Sequence, residues 1–258
     1  MELSGSIEIL HGRYEGRAFA PHWHEEFAIG VIDQGVEAFE YRGHTFHACT
    51  GQIVLLNAGE VHTGEAANEE GFGFRMLYVS ESVFRDIAVR GTGDALYFQE
   101  AVVENKSLAQ ALVAAHLSLE DGSSRLQGES RMVDALAEVL RMHGSWRPAS
   151  GPAGIPAAMS AARDYLNDHV AEDVSLDELA RLAGLSKFHF VRTFKEWTGM
   201  SPHAYQTQQR ILRAKRLLRK ASPMQVAQDC GFYDQSHLNR AFRLFVGTTP
   251  GCYAQQFR

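Results

Sequence analysis

Residues 176–253 repeat one pattern twice, and this repeat restricts the fold more than any other feature of the chain. Two stretches align at an offset of 47 residues and, after one inserted residue, at an offset of 48. The identical pairs are Ala180 and Ala227, Gly184 and Gly231, His189 and His237, Arg192 and Arg240, Phe194 and Phe242, Gly199 and Gly247, Pro202 and Pro250, and Tyr205 and Tyr253. A period that occurs only twice indicates a duplicated unit rather than a solenoid.

Each repeat is predicted to contain a short helix, a glycine turn and a longer helix, which is the arrangement of a helix-turn-helix. Gly184 and Gly231 stand at the two turns, where glycine accepts the left-handed conformation. Serine or aspartate marks the start of these helices, because their side chains accept hydrogen bonds from the first turn. The predicted helices are Ala157–His169, one from Ser175 to near Ala183, one from Ser186 to Gly199, Pro202–Lys220, a short one after Ser222, and one from Asp234 to Gly247.

The longer helix of each repeat is predicted to have one apolar and one polar face. Phe190 and Phe194 are four residues apart, as are their counterparts Leu238 and Phe242, so each pair faces the core. The opposite faces carry side-chain types that contact base edges and phosphates in the major groove of DNA. These residues are Lys187, Arg192 and Lys195 in the first repeat and Gln235, Ser236, Asn239, Arg240 and Arg243 in the second. A merely solvated polar face is the alternative.

The charge distribution favours the nucleic-acid interpretation. The net charge is −6, yet residues 1–150 contain 22 acidic and 11 basic residues, whereas residues 186–258 contain 3 acidic and 12 basic residues. Such a split indicates that only the basic part faces a polyanion. The three cysteines form no CxxC motif, and no apolar run is long enough to cross a membrane, nor does a secretory signal open the chain. We therefore expect a cytoplasmic location.

A segment rich in proline and glycine, residues 144–156, separates the acidic part from the basic part. We therefore predict an α+β protein of two domains. Residues 1–145 form one domain, residues 146–156 a linker, and residues 157–258 an all-helical DNA-binding domain.

The acidic part is predicted to contain short strands that form a β-barrel or sandwich, followed by two helices. The predicted strands are Phe27–Ile32, Glu37–Tyr41, Gln52–Leu56 and Phe72–Val79. Ser107 is predicted to start the first helix, which runs to about Glu120, and the second helix covers about 129–143. The second helix has an apolar stripe, which packs on the barrel, forms a dimer seam, or does both. The stripe consists of Met132, Leu136, Val139 and Leu140.

The stretch GFYDQSHLNRAFRLFVGTTPGCY, from Gly231 to Tyr253, resembles the signature of the AraC/XylS family of bacterial transcription regulators. Residues 176–205 are similar to the first helix-turn-helix of that family. The resemblance implies that Pro202–Lys220 joins two units whose recognition helices enter successive major grooves on one face of DNA. By position it assigns DNA contacts to Lys187, Phe188, Val191 and Arg192 in the first unit and to Gln235, Ser236, His237, Asn239 and Arg240 in the second. The family commonly has a polar residue at position 191, and valine can contact only a thymine methyl.

Residues 22–26 form a second candidate site. His22, His24 and Glu26 alternate along a predicted strand and therefore share one face. Together with residues 51–62 they resemble the two motifs of the cupin barrel, a domain that often precedes AraC-type DNA-binding domains. This resemblance brings His62 beside the first three residues, and we predict that all four line an effector pocket. It implies that residues 1–145 are a cupin-like domain for effector sensing and dimerisation.

Three histidines and a glutamate also suit a first-row metal ion. A metal site, a metal-free effector pocket and a purely structural role are the three interpretations of these residues. We expect the metal-free pocket and no cofactor, because Asn57 stands where the cupin pattern has proline. A metal at His22, His24 and His62 is the alternative.

The sequence thus predicts a sequence-specific transcription regulator that responds to a small-molecule effector and is not an enzyme. The expected partners are double-stranded DNA, the effector, RNA polymerase and a second copy of the chain. Activation of transcription is expected, and repression is the alternative. Two other classes remain: a cupin metal-dependent enzyme fused to a DNA-binding tail, and a non-specific nucleoid protein, which the acidic part disfavours.

Overall fold

The computed structural model describes residues 7–14, 19–88, 94–121, 125–148 and 157–256. The chain folds into two compact units. One is built on residues 23–151, with residues 1–18, and the other on residues 152–258, with Phe19–His22. The division between residues 151 and 152 falls inside the predicted linker. No described helix combines the length and apolar character that crossing a bilayer requires.

An eight-stranded sheet dominates the N-terminal part of the described chain, with the order β1-β7-β3-β5-β9. Strand β3 also pairs with β4 and β6. The strands are β1 (Ile7–Tyr14), β2 (Phe19–His22), β3 (Phe27–Tyr41), β4 (His44–Cys49), β5 (Ile53–Leu56), β6 (His62–Ala66), β7 (Phe72–Val79) and β9 (Val102–Val103). Of the predicted β-barrel or sandwich, the antiparallel sheet is confirmed.

The long strand β3 corrects the sequence analysis, which divided it into two strands. Its first half pairs with β5 and β7, and its second half pairs with β4 and β6. A β-bulge lies between Ile32 and Gln34. At the bulge, the carboxylate of Asp33 lies 3.3 Å from His11 Nε2 and 3.7 Å from Arg75 Nε. The strand therefore continues through residues 33–37, where hydrophobic periodicity stops.

The sheet packs against three helices, α1 (Glu81–Ala88), α2 (Lys106–Asp121) and α3 (Arg125–His143), in one buried core. The stripe on α3 is part of this core: Met132, Leu136 and Val139 are fully buried and Leu140 packs against them. The stripe therefore packs on the sheet, which was one of the two interpretations of the sequence. Helix α2 begins one residue earlier than predicted, because the Asn105 side chain accepts the hydrogen bond from the backbone N–H of Leu108.

Strand β10 (Gly144–Pro148) pairs with β8 (Asp94–Phe98) in a separate two-stranded sheet. The first residues of the predicted linker are therefore hydrogen-bonded to the sheet unit. Trp146 packs against the core, and Arg147 stacks on the ring of Tyr97. The remaining linker residues, 149–156, lie outside the described part of the chain.

The second unit is helical from Ala157 onwards. Its helices are α4 (Ala157–Asp168), α5 (Leu176–Leu182), α6 (Lys187–Thr198), α7 (Pro202–Leu218), α8 (Pro223–Asp229), α9 (Gln235–Val246) and α10 (Pro250–Gln255). The predicted start signals are confirmed. Each predicted capping residue accepts a hydrogen bond from the first turn, namely Ser175, Ser186, Ser201, Ser222 and Asp234. The sequence analysis missed α10, which begins after Thr249.

Helix α7 holds the unit together because it satisfies the backbone carbonyls that follow α4. The amide of Gln206 donates to the carbonyl oxygen of Glu172 at 2.9 Å. The guanidinium of Arg210 donates to the carbonyl oxygens of Val170 and Glu172, both at 2.8 Å. Carbonyls at the end of a helix have no partner within it, so these bonds fix α4 on α7. Arg210 therefore has a structural role.

Candidate nucleic-acid interface and sensor site

The first recognition helix, α6, has the two faces that its sequence predicts. Phe190 and Phe194 are fully buried against the unit. The opposite face presents the predicted DNA-binding residues to solvent, and Phe188 is 91% exposed. The exposed residues are Lys187, Phe188, Arg192 and Lys195, and Val191 is half-buried. The exposed ring of Phe188, beside cationic side chains, is available to stack on a base or to insert between bases.

Two ion pairs occupy part of this face. Lys187 Nζ lies 2.7 Å from Asp177 of α5, and Arg192 Nε lies 2.9 Å from Glu196 one turn along α6. Both pairs are exposed, and such pairs stabilise a fold by about 0–1 kcal/mol. Exchange of the carboxylates for phosphate or guanine acceptors therefore costs little. Glu196 is expected to hold the Arg192 side chain along the helix until DNA arrives.

The second recognition helix, α9, repeats the arrangement. Leu238 and Phe242 are fully buried, whereas Gln235, Ser236, Arg240 and Arg243 are exposed and Asn239 is half-buried. Asp234 caps the helix, and its carboxylate accepts a hydrogen bond from the backbone N–H of His237 at 2.6 Å. The exposed arginines follow one another at a spacing of three residues, which places them on one side of the helix.

His237 has a structural contact at the start of α9. Its Nδ1 accepts a hydrogen bond from the backbone N–H of Tyr233 at 3.5 Å, and its ring meets Phe232 edge-on at 5.3 Å. The ring thus fixes the turn that leads into the helix. His189, its counterpart in the first repeat, is exposed.

Tyr233 is a candidate contact residue that the sequence analysis missed. It is 93% exposed, immediately before the capping residue of α9. The sequence did contain a signal for this residue. Tyr233 is an aromatic residue between the turn glycine and the helix cap, at a position where the repeat requires no apolar side chain.

Two of the four predicted sensor residues lie together in the sheet unit. The ring centroids of His24 and His62 are 5.1 Å apart, with His62 buried and His24 half-buried. The predicted strand over residues 22–26 is wrong, because β2 ends at His22, which is counted with the helical unit, and His24 and Glu26 lie outside the strands. Burial lowers the pKa of His62 to about 4, so this imidazole is neutral at neutral pH.

A hydrogen-bonded turn holds His62 in place. Asn57 is buried, and its side chain bonds to both the N–H and the carbonyl of Phe98 in β8, at 2.8 and 3.1 Å. Its amide also donates to the Tyr41 hydroxyl at 3.1 Å, and that hydroxyl donates to Glu60. Arg42 adds an ion pair to Glu60 at 2.8 Å. Asparagine at position 57 is therefore explained, because proline has no side-chain amide to join the β5–β6 turn to β8.

Glu37 is a buried carboxylic acid that the sequence analysis did not single out. It shares a sheet face with Tyr41, which pairs directly with His62. Its Oε2 atom has no hydrogen-bond partner among the described residues. Burial raises the pKa of Glu37 to about 8. A protonated carboxyl here offers a donor and an acceptor to a ligand on this face.

Known proteins resemble the chain over nearly its full length. A model of the AraC-like ligand binding domain matches residues 4–136, and a model of a helix-turn-helix domain matches residues 179–256. The HTH-type transcriptional regulator YbfI of Bacillus subtilis is 27% identical over 243 residues, which cover 92% of this chain and 88% of that protein. The HTH-type transcriptional activator RhaS of Escherichia coli is 23% identical over 256 residues, covering 96% and 92%.

The fold comparison agrees with the sequence comparison. ToxT from Vibrio cholerae superposes with a TM-score of 0.61 at 11% identity, covering 98% of both chains. At this identity the likeness shows the fold alone. The named relatives are transcription regulators, which favours a regulator over the enzyme alternative. This chain therefore belongs to the AraC family of transcription regulators, with a ligand-binding domain followed by a helix-turn-helix DNA-binding domain.

Proposed function

We propose that this regulator reads its DNA site through the exposed faces of α6 and α9 and changes its DNA occupancy when the sheet unit binds a small-molecule effector. The observation that carries the proposal is the repeated helix with a fully buried aromatic face and an exposed cationic face. Arg192 and Arg240 are the residues proposed to contact guanine edges, where an arginine makes two parallel hydrogen bonds. Lys195 and Arg243 are proposed to contact phosphates.

The remaining exposed residues complete the two faces. Lys187, Phe188, Gln235, Ser236 and Asn239 are proposed to make further contacts to bases and the backbone. His237 is proposed to act mainly by positioning the start of α9, because its Nδ1 already accepts the N–H of Tyr233.

Replacement of Arg240 tests the readout. Arg240→Ala is expected to weaken binding to the cognate DNA by about 1–3 kcal/mol and to relax specificity at one base pair. Arg243→Ala is expected to weaken binding to all sequences similarly and to lower the dependence on salt, because it removes one phosphate contact. Titrations against an operator selected from random DNA, at two salt concentrations, measure both effects.

Arg141→Ala is the matched control, because Arg141 is an exposed arginine of the sheet unit, on α3, and pairs with Glu138. It should leave DNA binding unchanged. Unaltered operator affinity and specificity in Arg240→Ala would show that α9 does not read the bases.

The effector is proposed to act by population shift. A ligand changes DNA occupancy only if it binds one conformation of the chain better than the other. The residues proposed to line its site are His22, His24, Glu26 and His62, and Glu37 and Tyr41 share the sheet face of His62. The cytoplasm, where bacterial DNA lies, is the proposed location, and activation through contact with RNA polymerase is the proposed outcome.

The regulator is also proposed to form a homodimer through α2. An open apolar groove of about 380 Å³ lies between α2 and the β4–β5 turn, lined in part by Val31, Thr50, Ala109, Val113 and Leu117. Leu117 is 46% exposed there. Large exposed apolar side chains beside a groove are typical of protein interfaces.

Leu117→Glu tests the dimer. A buried charge in the groove is expected to convert the dimer into a monomer in sedimentation analysis. Operator affinity is expected to fall by at least about 10-fold, because the second DNA contact is no longer linked to the first. Met142→Glu, at an exposed methionine that does not line the groove, is the control. A dimer of unchanged stability in Leu117→Glu would rule out this surface.

A further inference from the structure

The chain leaves the sheet unit through β10, which is held by β8. Five residue pairs join the two strands, which run antiparallel. Two paired strands are at best marginally stable in water by themselves, so side chains must add to the hold on β10. Trp146 does so by packing against the core, and Arg147 does so through the ring of Tyr97.

Two arginines meet on the ring of Tyr97 in β8. The guanidinium carbon of Arg147 lies 3.6 Å from the ring centroid, and that of Arg42 lies 4.4 Å from it. Both arginines also bind Gln99: Arg147 donates to its side-chain oxygen at 2.7 Å, and Arg42 donates to its backbone carbonyl at 3.0 Å. A guanidinium is attracted to an aromatic face by the quadrupole of the ring. Arg42 therefore supports the same two residues on which the side chain of Arg147 rests.

Glu60 joins this group of side chains to the predicted sensor residue His62. Its carboxylate lies 2.8 Å from Arg42 Nε and accepts a hydrogen bond from the Tyr41 hydroxyl. Loss of the carboxylate charge would leave two guanidiniums on one ring with less to balance them. The backbone carbonyl oxygen of Glu60 lies 3.1 Å from His62 Nδ1 and orients that ring. One residue thus contacts both the histidine and the arginine that supports β8 and β10.

The backbone of Arg42 is strained, which indicates that its side chain is needed at this position. Its φ is +52°, in the left-handed region that L-residues disfavour, and the φ of Gly43 is +76°. Two-residue hairpin turns with two positive φ angles prefer asparagine followed by glycine. A residue that is kept in a disfavoured conformation is typical of functional sites.

We propose that β10 is a releasable strand whose pairing with β8 is controlled from His62. The control passes through Glu60, Arg42 and Tyr97. This inference rests on the proposed function, because it names the regulation of the same sensor site. An effector that displaces His62 pulls on the carbonyl of Glu60 and weakens the ion pair of Glu60 with Arg42. Arg42 then holds Tyr97 less firmly, and β10 loses part of its support.

The paired and released forms of β10 are the two discrete states that coupling between distant sites requires. Release adds the five residues of β10 to the connection with the DNA-binding unit. That is about 16 Å of extended chain. The effector therefore regulates the length of the connection between the two units.

Hydrogen exchange followed by mass spectrometry, on the full-length chain, measures release as the exchange of the amides of residues 144–147. Glu60→Gln is expected to speed this exchange by about 2- to 5-fold, the range that the loss of one cation–π contact gives. Arg42→Gly is expected to speed it by at least about 5-fold, although glycine relieves the strained turn. The exchange of β5 should stay as in the native chain, whereas a general loss of stability would speed both strands.

Tyr97→Leu distinguishes a route through the ring from independent local effects. If the ring carries the control, Glu60→Gln should have no further effect on β10 once Tyr97 is replaced, because residues on one route are not additive. Glu65→Gln is the matched control, since Glu65 is exposed on β6, the strand that His62 begins. It should leave the exchange of residues 144–147 unchanged.

Two results overturn the proposal. One is equal exchange of residues 144–147 in Arg42→Gly and the native chain, and the other is an effect of Glu60→Gln that is the same with and without Tyr97. Unchanged exchange of β5 verifies that each variant folds. Operator binding is titrated in parallel: its loss in the native chain contradicts the proposed function, whereas the exchange of residues 144–147 alone decides whether β10 is controlled from Glu60.

Discussion

Gly231→Ala is expected to destabilise the helical unit by roughly 2–5 kcal/mol, which is a large part of the stability of a typical domain. Gly231 has a φ of +75°, a conformation that costs an L-residue roughly 1–2 kcal/mol. A Cβ atom there would also lie 2.1 Å from the carbonyl oxygen of Ala171 and 2.8 Å from its Cα. Both contacts are with backbone, so no side-chain rotation relieves them. Urea denaturation followed by far-UV circular dichroism measures the loss.

Gly184, at the equivalent turn of the first repeat, supplies the control. Its φ is +64°, but a Cβ atom there meets nothing within 4 Å. Gly184→Ala should therefore cost only the conformational part, roughly 1–2 kcal/mol. Equal losses in the two variants would show that the approach of Ala171 does not contribute.

Replacement of Glu37 is expected to change how stability depends on pH. Because burial raises the pKa of Glu37 from 4.5 to about 8, the folded chain keeps a proton that the unfolded chain releases above about pH 4.5. The free energy of unfolding should therefore fall as the pH rises from about 4.5 to about 8, and the full penalty should be present above that. At about 1.4 kcal/mol per pKa unit, Glu37→Gln should remove a loss on the order of 4 kcal/mol between pH 5 and pH 9.

Urea denaturation at both pH values, followed by tryptophan fluorescence, measures the difference. Glu40→Gln is the control, because Glu40 lies three residues further along β3 with an exposed side chain. It should keep the pH dependence of the native chain. The same loss of stability at pH 9 in Glu37→Gln and in the native chain would mean that Glu37 is not ionising inside the sheet.

The helical unit was largely predictable because its signals are local. A serine or aspartate cap, a proline at the first helical position and a terminal glycine act within one turn, so Ser201, Pro202 and Gly247 mark helix ends without tertiary information. The short helix α10 was missed because Thr249 and Pro250 were interpreted as the end of the repeat rather than as a further cap.

The sheet unit was less predictable because strands depend on distant partners. Nothing local shows that Asp33 and Gln34 continue β3, since the bulge and the pairing with β7 hold them there. Similarly, β10 forms because β8 lies beside it, although the sequence of Gly144–Pro148 is typical of a linker. At the start of α2 the sequence analysis chose Ser107 as the cap, whereas the side chain of Asn105, two residues earlier, accepts the hydrogen bond from the backbone N–H of Leu108.

The sensor site was predictable in part. The resemblance to the barrel motifs placed His62 beside His24, but the predicted alternation along one strand is wrong, because β2 ends at His22 and His24 lies outside the strands. Glu37 carries no such pattern: it is one glutamate among many, and only its burial distinguishes it. Tyr233 likewise differs from a core tyrosine only in its exposure.

The length of β3 gives the sheet unit a mechanical property. The strand is bonded to β4, β5, β6 and β7, so it cannot slide by one residue without breaking its ladders, but it can bend at the bulge beside Asp33. From the bulge to Tyr41 the strand is about 26 Å long at 3.3 Å per residue. If this half of β3 rotates by about 5° about the bulge, the Tyr41 hydroxyl therefore moves by about 2 Å. That hydroxyl is bonded to Asn57 and Glu60. We therefore expect a ligand that repositions His62 to move the far end of β3, and the contacts of His11 and Arg75 with Asp33 at the bulge to set the stiffness of the strand.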